Sequence, residues 1–398
     1  MATPPQALDQ TTASAQATGR KAAYGPTAIL RQEWFLGVSL LTSLIFLVWG
    51  DQLTGGLANP LQLFLIFAWL FAVVLGSALA VVRHADHLAV RLGEPYGTLI
   101  LTLAVTTIEV MSITAVMLHG ANNPTLVRDT LFSVVMIILN GMVGLSLLAG
   151  ALRHREQHYN LQGANAYLGL IIPLSVLSLI LPNFTRTTPG PTLSVVQNCF
   201  LVTMSVGLYA AFLAMQTGRH RGYFMLGADG ENDDPDQAAE DAEILAEPSP
   251  FAHHALLLLV YMAPVVFLAE QLAKPVDYLV ETLHEPAALG GVIMAVLVAT
   301  PEAIGAVKAA TRDHLQRAVN IFLGSVLSTI GLTVPIMIAI SYITGHGIVL
   351  GLEHTDFVML LLTLAVSVVT FASGRTNVLQ GAVHLLLFLA YLLLIIQN

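Results

Sequence analysis

Eleven long apolar stretches dominate this chain and limit what it can fold into. They lie near residues 34–50, 59–82, 97–119, 131–152, 166–182, 193–216, 252–271, 287–309, 319–343, 357–374 and 378–396. A helix needs about 17–25 mainly apolar residues to cross a bilayer, and it must satisfy its backbone hydrogen bonds internally. The stretches lack the strict alternation of barrel strands. The sequence therefore predicts an all-α polytopic membrane protein with about 11 transmembrane helices.

The remaining composition argues against a soluble enzyme. Only 10% of the 398 residues are charged, against roughly 25% in soluble domains. The single cysteine, Cys199, excludes a disulfide framework and a cysteine-based zinc site. The sequence shows no HExxH, GxSxG, P-loop or dinucleotide motif. We expect no cofactor, no enzymatic activity and no nucleic-acid partner, so any transport would depend on ion gradients.

Basic residues predict the orientation in the membrane. If the N-terminus is cytoplasmic, thirteen of the sixteen Lys and Arg residues fall on the inner side, and only Arg128, Arg186 and Lys274 fall outside. Such a positive-inside bias favours a cytoplasmic N-terminus, and an odd number of helices then places the C-terminus outside.

One polar segment divides the chain. The segment between Gly222 and Pro250 carries nine acidic residues and no Lys or Arg, which accounts for the whole net charge of −9. It is either a solvated tether or a low-affinity divalent-cation sensor. If the segment is a sensor, we expect the regulatory cation to bind at Asp229, Glu231, Asp233, Asp234 and Asp236.

The two parts on either side of this segment resemble each other. A glycine stands twelve residues before a glutamate and a threonine two before it, both in 97–109 and in 290–302. Glu109 lies on the third span and Glu302 on the eighth, five spans further along, so the two spans cross the membrane in opposite directions and the repeat is inverted. Such repeats are typical of secondary transporters. We therefore expect a disordered cytoplasmic tail (1–33), a peripheral first helix (34–52), a first repeat (58–221), an acidic linker (222–251) and a second repeat (252–398).

Glu109 and Glu302 are the acidic residues deep inside predicted spans. An ionisable side chain at the bilayer centre costs at least about 2.5–3.5 kcal/mol, and such residues usually have a function. A carboxylate is an oxygen ligand for calcium, sodium or potassium, and it also accepts a proton. The alternative is a structural carboxylate bonded to a neighbouring helix.

Hydroxyl groups and small residues surround these glutamates in the sequence. Thr106, Thr107 and Thr300 add oxygens on the same helical turns, so we expect all five residues to bind the cation or proton. Small and polar residues on facing helices predict a pore lining: Asn140, Gly141, Asn320, Gly324, Ser325, Ser328 and Thr329. Glu94 and Glu285, each before a proline, are candidates for an auxiliary proton or cation pathway. His84 and His87 have metal-ligand spacing, but interfacial packing or pH sensing explains them better.

Four motifs carry a resemblance to a known family: the runs 84–97 and 320–328, Thr300-Pro-Glu302 and Ser373-Gly-Arg-Thr-Asn377. Together they resemble the bacterial calcium/sodium–proton antiporters of the calcium:cation antiporter superfamily. The resemblance implies a peripheral helix, two inverted five-helix halves, and Glu109 and Glu302 as the exchanging carboxylates. It also implies the bacterial inner membrane.

The chain departs from this family at two positions. Many members carry Gly-Asn four and three residues before each glutamate, where this chain has Val105-Thr106 and Val298-Ala299. Selectivity among calcium, sodium and potassium therefore stays open. The predicted function is a cation–proton antiporter; the alternatives are a cation channel, an intramembrane enzyme or a monovalent-only antiporter. The partners are the transported ions and the bilayer, and assembly with further copies is left open.

Overall fold

The computed structural model describes residues 33–93, 96–119, 124–226, 239, 242, 244–246, 250–283 and 286–397. The tail 1–32, the five linker carboxylates named above, Glu94 and Glu285 lie outside the described residues.

Six helices form the first part of the chain. They are α1 (Trp34–Thr54), α2 (Pro60–Leu92), α3 (Tyr96–His119), α4 (Leu126–His154), α5 (Leu161–Asn183) and α6 (Val195–Thr217). Within α4 the segment Ile137–Met142 is π-helical, and α5 ends in π-helical and 3₁₀ turns. A short 3₁₀ helix, Arg221–Phe224, follows α6.

Five helices form the second part. They are α7 (Phe251–Asp277, extended by a π-helical turn to Thr282), α8 (Ala287–Thr311), α9 (Leu315–Thr344), α10 (His354–Thr370) and α11 (Val378–Gln397). In α9 the segment Thr329–Thr333 is π-helical. Two short strands, β1 (Gln157–His158) and β2 (Arg375–Thr376), pair antiparallel.

These elements confirm the predicted fold class. Within the described residues, ten helices are long and apolar enough to cross a membrane, and α10 is a shorter apolar helix. The second helix of each five-helix half carries a glutamate, and the third helix of each half contains a π-helical segment. The first helix α1 precedes both halves, as the sequence predicts.

Local sequence signals define several helix ends. Asn59 caps α2 by accepting a hydrogen bond from the Leu61 N–H, and Pro60 follows at the first helical position. Ser194 and Gln197 form a capping box at the start of α6. Gly345 ends α9 in the left-handed conformation that glycine adopts without strain.

Contacts among helix ends and connecting segments fall into two groups. One group joins Glu33 to Arg83, β1 to β2, and Asn160 to the carbonyls of Gly222 and Met225. The other group joins Asp51 to Lys274, Pro124 to Val349 and Asn183 to Leu352. Every pair is separated by an even number of helices, as required if each helix crosses the membrane once.

Helices α4 and α8 approach each other closely, and this contact positions α8, the helix that carries Glu302. A Cβ atom built on Gly291 would lie 2.7 Å from the carbonyl carbon of Asp129 and 2.8 Å from the backbone nitrogen of Thr130. Small residues allow helix backbones to approach this closely in membranes.

We expect Gly291→Ala to destabilise the protein by about 1–3 kcal/mol, because the added methyl group forces two backbones apart. Thermal unfolding in detergent measures this effect. The matched control is Gly207→Ala, since a Cβ atom at Gly207 meets no atom within 4 Å. Equal melting temperatures for the two variants would show that α8 does not need this contact.

Candidate functional site

Glu109 is buried in the middle of α3 and is held by hydroxyl groups from the other half of the chain. Only 2% of this residue is exposed. Its Oε2 atom accepts hydrogen bonds from Thr333 Oγ1 at 2.7 Å and from Thr329 Oγ1 at 3.2 Å. Both threonines belong to the π-helical segment of α9, so that segment fixes the carboxylate from the side opposite α3.

Glu302 lies in α8 and is also held by α9. It is half-buried, and one carboxylate oxygen accepts a hydrogen bond from Ser325 Oγ. Pro301 precedes it inside an unbroken helix, where the missing N–H leaves a carbonyl of the preceding turn without its usual donor. Helix α8 is regular around this proline, whereas the π-helical turns lie in α4, α5 and α9 and at the end of α7.

A narrow cleft reaches Glu302 between α2, α3 and α8. Its lining is apolar except for the carboxylate and consists of Ala78, Val82, Val105, Ile108, Val298, Pro301 and Glu302. The cleft therefore leads to a single anionic group.

One helix thus connects the two glutamates. Ser325, Thr329 and Thr333 follow one another at intervals of four residues, which places them along one side of α9. Ser325 therefore lies about one to two turns before the two threonines that hold Glu109, roughly 6–12 Å along the helix at 1.5 Å per residue. A shift of α9 would move the hydrogen-bond donors of both carboxylates together.

Several buried oxygens on α3 have no hydrogen-bond partner. They are Glu109 Oε1, Thr106 Oγ1 and Ser112 Oγ, which recur every three residues on adjoining parts of one side of α3. A buried oxygen without a partner costs about 1–3 kcal/mol. A dehydrated cation or a proton at Glu109 would supply the missing partner.

The threonines two residues before each glutamate behave alike in the two halves. Thr107 Oγ1 donates to the Leu103 carbonyl at 2.6 Å, and Thr300 Oγ1 donates to the Val296 carbonyl at 2.5 Å. Their hydroxyl protons therefore point along the helix towards these carbonyls, and the oxygen lone pairs remain available to bind a cation. The two halves differ one residue earlier, because the second half has Ala299 at the position of Thr106 in the first half.

The chemistry of the site is that of hard oxygen ligands. Among the described residues, neither glutamate forms an ion pair with a basic side chain. The described chain also contains no cluster of three or more His, Cys, Asp or Glu residues that could hold a metal ion. Two carboxylates with hydroxyl oxygens suit a calcium or alkali-metal ion that passes through, rather than a transition metal.

The structure brings some of the predicted pore residues to the glutamates and directs others elsewhere. Ser325 contacts Glu302, and Ser328 bonds the Ser325 carbonyl within α9. Asn140 donates to Thr363 Oγ1 at 2.9 Å and lies 3.4 Å from His384 Nδ1, so it faces α10 and α11.

Thr329 contacts Glu109, whereas Gly141, Asn320 and Gly324 lie at other contacts of the bundle, Gly324 beside the Tyr167 ring. Gly141 packs against Phe388 of α11. Asn320 accepts from Gln316 and donates to the Phe224 carbonyl, which anchors the segment after α6.

The sequence reasoning missed Thr333 and Ser112. The signal for Thr333 was present as the four-residue spacing that links it to Ser325 and Thr329. Ser112 continues the three-residue spacing of Thr106 and Glu109.

Comparison with known proteins gives a consistent result. A family profile described as "Sodium/calcium exchanger protein" matches residues 62–218 and 253–397. The chain is 44% identical over 320 residues to the "Putative ionic transporter y4hA" of Sinorhizobium fredii, covering 80% of this chain and 85% of that protein. It is 37% identical over 368 residues to the "Sodium-potassium/proton antiporter ChaA" of Escherichia coli, covering 92% and 96%.

Solved structures share the fold. The Ca²⁺/H⁺ antiporter protein YfkE superposes with a TM-score of 0.68 at 17% identity, covering 92% of this chain and 98% of that one. The H⁺/Ca²⁺ exchanger CAX gives a TM-score of 0.60 at 14% identity, covering 90% and 89%.

Proposed function

Because the chain belongs to the sodium/calcium exchanger protein family, we propose that it is a secondary antiporter that exchanges protons for calcium, sodium or potassium ions. Glu109 and Glu302 bind the cation and the protons in turn. Thr106, Thr107 and Thr300 supply further oxygens on the same turns. The related proteins named for Ca²⁺/H⁺ and for sodium-potassium/proton exchange support this range of cations.

The observation that carries the proposal is a pair of carboxylates, one buried and one half-buried, that have no basic partner among the described residues. Both are held by neutral hydroxyl groups of α9, which orient an anion but do not neutralise it. Two like charges in a low-dielectric interior repel each other and are poorly solvated. Their charge must be compensated by a bound cation or by protons.

Obligatory exchange follows from this requirement. With a dehydrated cation bound, or with both carboxylates protonated, the site is compensated and the two halves can shift between inward and outward access. With neither bound, two uncompensated charges would have to move through the membrane interior. The protein with an empty site therefore changes slowly between inward and outward access. Net movement of the cation in one direction then requires protons to move in the other.

The test is ion-driven proton movement in proteoliposomes that contain a trapped pH indicator. Addition of calcium, sodium or potassium outside should acidify or alkalinise the lumen in the direction opposite to cation flow. A channel would instead carry cation current without coupled proton movement. Failure of all three cations to move protons in correctly inserted protein would contradict the proposal.

The second part of the proposal is the membrane orientation, with the N-terminus and the acidic linker in the cytoplasm of a bacterium and the C-terminus outside. The positive-inside distribution supports it, as do the contacts that link connecting segments across even numbers of helices. Reporter fusions in the acidic linker and at the C-terminus are expected to report opposite compartments. The same compartment for both would contradict an odd number of crossings.

The acidic linker is expected to be dispensable for exchange itself. The first residues of the linker are anchored by Asn160 and Asn320, which bond the backbone of 222–225. Deletion of 229–247 leaves those contacts in place. We therefore expect unchanged maximal exchange and, if the linker senses divalent cations, a changed calcium dependence in the same vesicle assay. Complete loss of exchange in a normally inserted deletion would make the linker part of the transport machinery.

A further inference from the structure

A cluster of ionisable side chains joins α1, α2 and α7 at the end of the bundle near Glu33. Glu33 is 8% exposed and accepts hydrogen bonds from Arg83 at 2.9 and 2.7 Å and from the Tyr261 hydroxyl at 2.9 Å. Burial raises the pKa of Glu33, but hydrogen bonds from His84 and Tyr261 and the charge of Arg83 outweigh this and lower the pKa to about 2. Glu33 is therefore a permanent anion at physiological pH.

Two histidines from different halves of the chain contact each other beside this anion. His84 of α2 and His254 of α7 are 2% and 4% exposed, and their Nδ1 atoms lie 3.1 Å apart. A hydrogen bond at this distance requires one Nδ1 to carry a proton and the other to be bare. On its other side, His84 Nε2 lies 3.5 Å from Glu33 Oε2.

Further titratable and charged groups face this pair. The His87 ring stacks on His254 at 4.5 Å and 13°, and the His253 ring is 5.4 Å from it. The Tyr261 ring is 5.7 Å from His84. The groups that face the pair are Glu33, which directly precedes α1, His87 of α2, and His253 and Tyr261 of α7. The other charged groups on this part of α2 are Arg83, Asp86 and Arg91.

We propose that the His84–His254 pair is a proton-binding site separate from the transport glutamates, and that its second protonation separates the ends of α2 and α7. A first proton is accommodated, because a cationic His84 can donate through Nε2 towards Glu33 and through Nδ1 to His254. A second proton is not. Both Nδ1 atoms would then be donors 3.1 Å apart, and two imidazolium rings would face each other with His87 stacked on one of them.

The histidine pair lies close to the cleft beside Glu302. Val82 lines the cleft to Glu302 and lies two residues before His84, about 3 Å along α2. Displacement of this end of α2 therefore alters the wall of the cleft. In the orientation proposed above, the pair faces the cytoplasm. This link to transport rests on the proposed function, but the existence of the site does not.

The test measures the distance between α2 and α7 without measuring transport. Leu92→Cys and Phe251→Cys place spin labels at exposed positions near the two helix ends, in a Cys199→Ser background that removes the exposed native cysteine. Pulsed electron paramagnetic resonance gives the distance between the labels in the full chain in detergent. Between pH 7.5 and pH 4 we expect it to lengthen by about 1–2 Å or more, the scale of helix shifts at interfaces.

Neutral replacements distinguish this site from a general effect of acid. His254→Gln keeps hydrogen-bonding capacity but removes the proton site, so the distance should no longer change with pH. His84→Gln should give the same result and serves if the first variant fails to fold. His158→Gln, at an exposed histidine of β1, should keep the wild-type response. A pH-independent distance in the wild type, or an unaltered response in both cluster variants, would overturn the proposal whether or not the protein exchanges ions.

Discussion

Glu109→Gln and Glu302→Gln are each expected to reduce cation-driven proton movement to that of empty vesicles. Glutamine keeps the size of the side chain and accepts the hydrogen bonds from α9, but it neither binds a proton nor offers a charge to the cation. A single remaining carboxylate cannot neutralise a divalent ion or carry two protons. The measurement is the pH-indicator assay in proteoliposomes at matched protein content.

Insertion should not be affected, because the replacement removes an ionisable group that costs at least about 2.5–3.5 kcal/mol at the bilayer centre. Glu156→Gln is the matched control. Its carboxylate is exposed between β1 and α4 and lies 3.7 Å from Arg375, so exchange should stay close to that of the wild type. Normal exchange in both Glu109→Gln and Glu302→Gln would refute the assignment of the site.

Aspartate variants separate the effect of the charge from the effect of the side-chain length. Glu109→Asp and Glu302→Asp keep the charge but shorten the side chain by one methylene group. We expect partial exchange with a shifted pH dependence, because the proton and cation sites remain while their distance from the α9 hydroxyls changes. Activity equal to that of the glutamine variants would mean that the position of the carboxylate matters as much as its charge.

The sequence was sufficient to predict the spans and the glutamates, for a physical reason. Lipid accepts apolar helices and excludes charge, so each span is a long apolar stretch, and a carboxylate inside one is conspicuous. The boundaries were less exact. The second span was predicted to end near residue 82, whereas α2 continues to Leu92, because its last turns carry charged residues that hydropathy assigns to a loop.

The sequence did not reveal which side chains meet inside the bundle. Asn140 and Asn320 are polar residues in spans, as Ser325 is, yet only Ser325 contacts a glutamate. The direction in which a residue of a buried helix points depends on its packing against helices far away in the sequence. The same limitation hid the contact between His84 and His254, which are 170 residues apart.

The threonine pair on α9 provides the second strong test of the site. Thr329→Val and Thr333→Val together preserve shape but remove both hydrogen bonds to Glu109 Oε2. Glu109 Oε1 already lacks a partner, so the whole carboxylate would be left without a donor. Binding a cation must then order this side chain, at a cost of about 0.5–1.5 kcal/mol, which corresponds to roughly a 2- to 13-fold loss in cation affinity.

This loss should appear as a higher cation concentration for half-maximal exchange and a shifted pH dependence, measured in the same vesicles. Thr344→Val is the matched control, because this threonine is exposed at the end of α9, donates to the Ile340 carbonyl of its own helix and accepts only a long hydrogen bond of 3.5 Å from the His346 N–H. A merely structural role of Thr329 and Thr333 would lower the melting temperature and leave the half-maximal concentration unchanged. That outcome would show that α9 supports the fold around Glu109 without orienting its carboxylate for the transported ion.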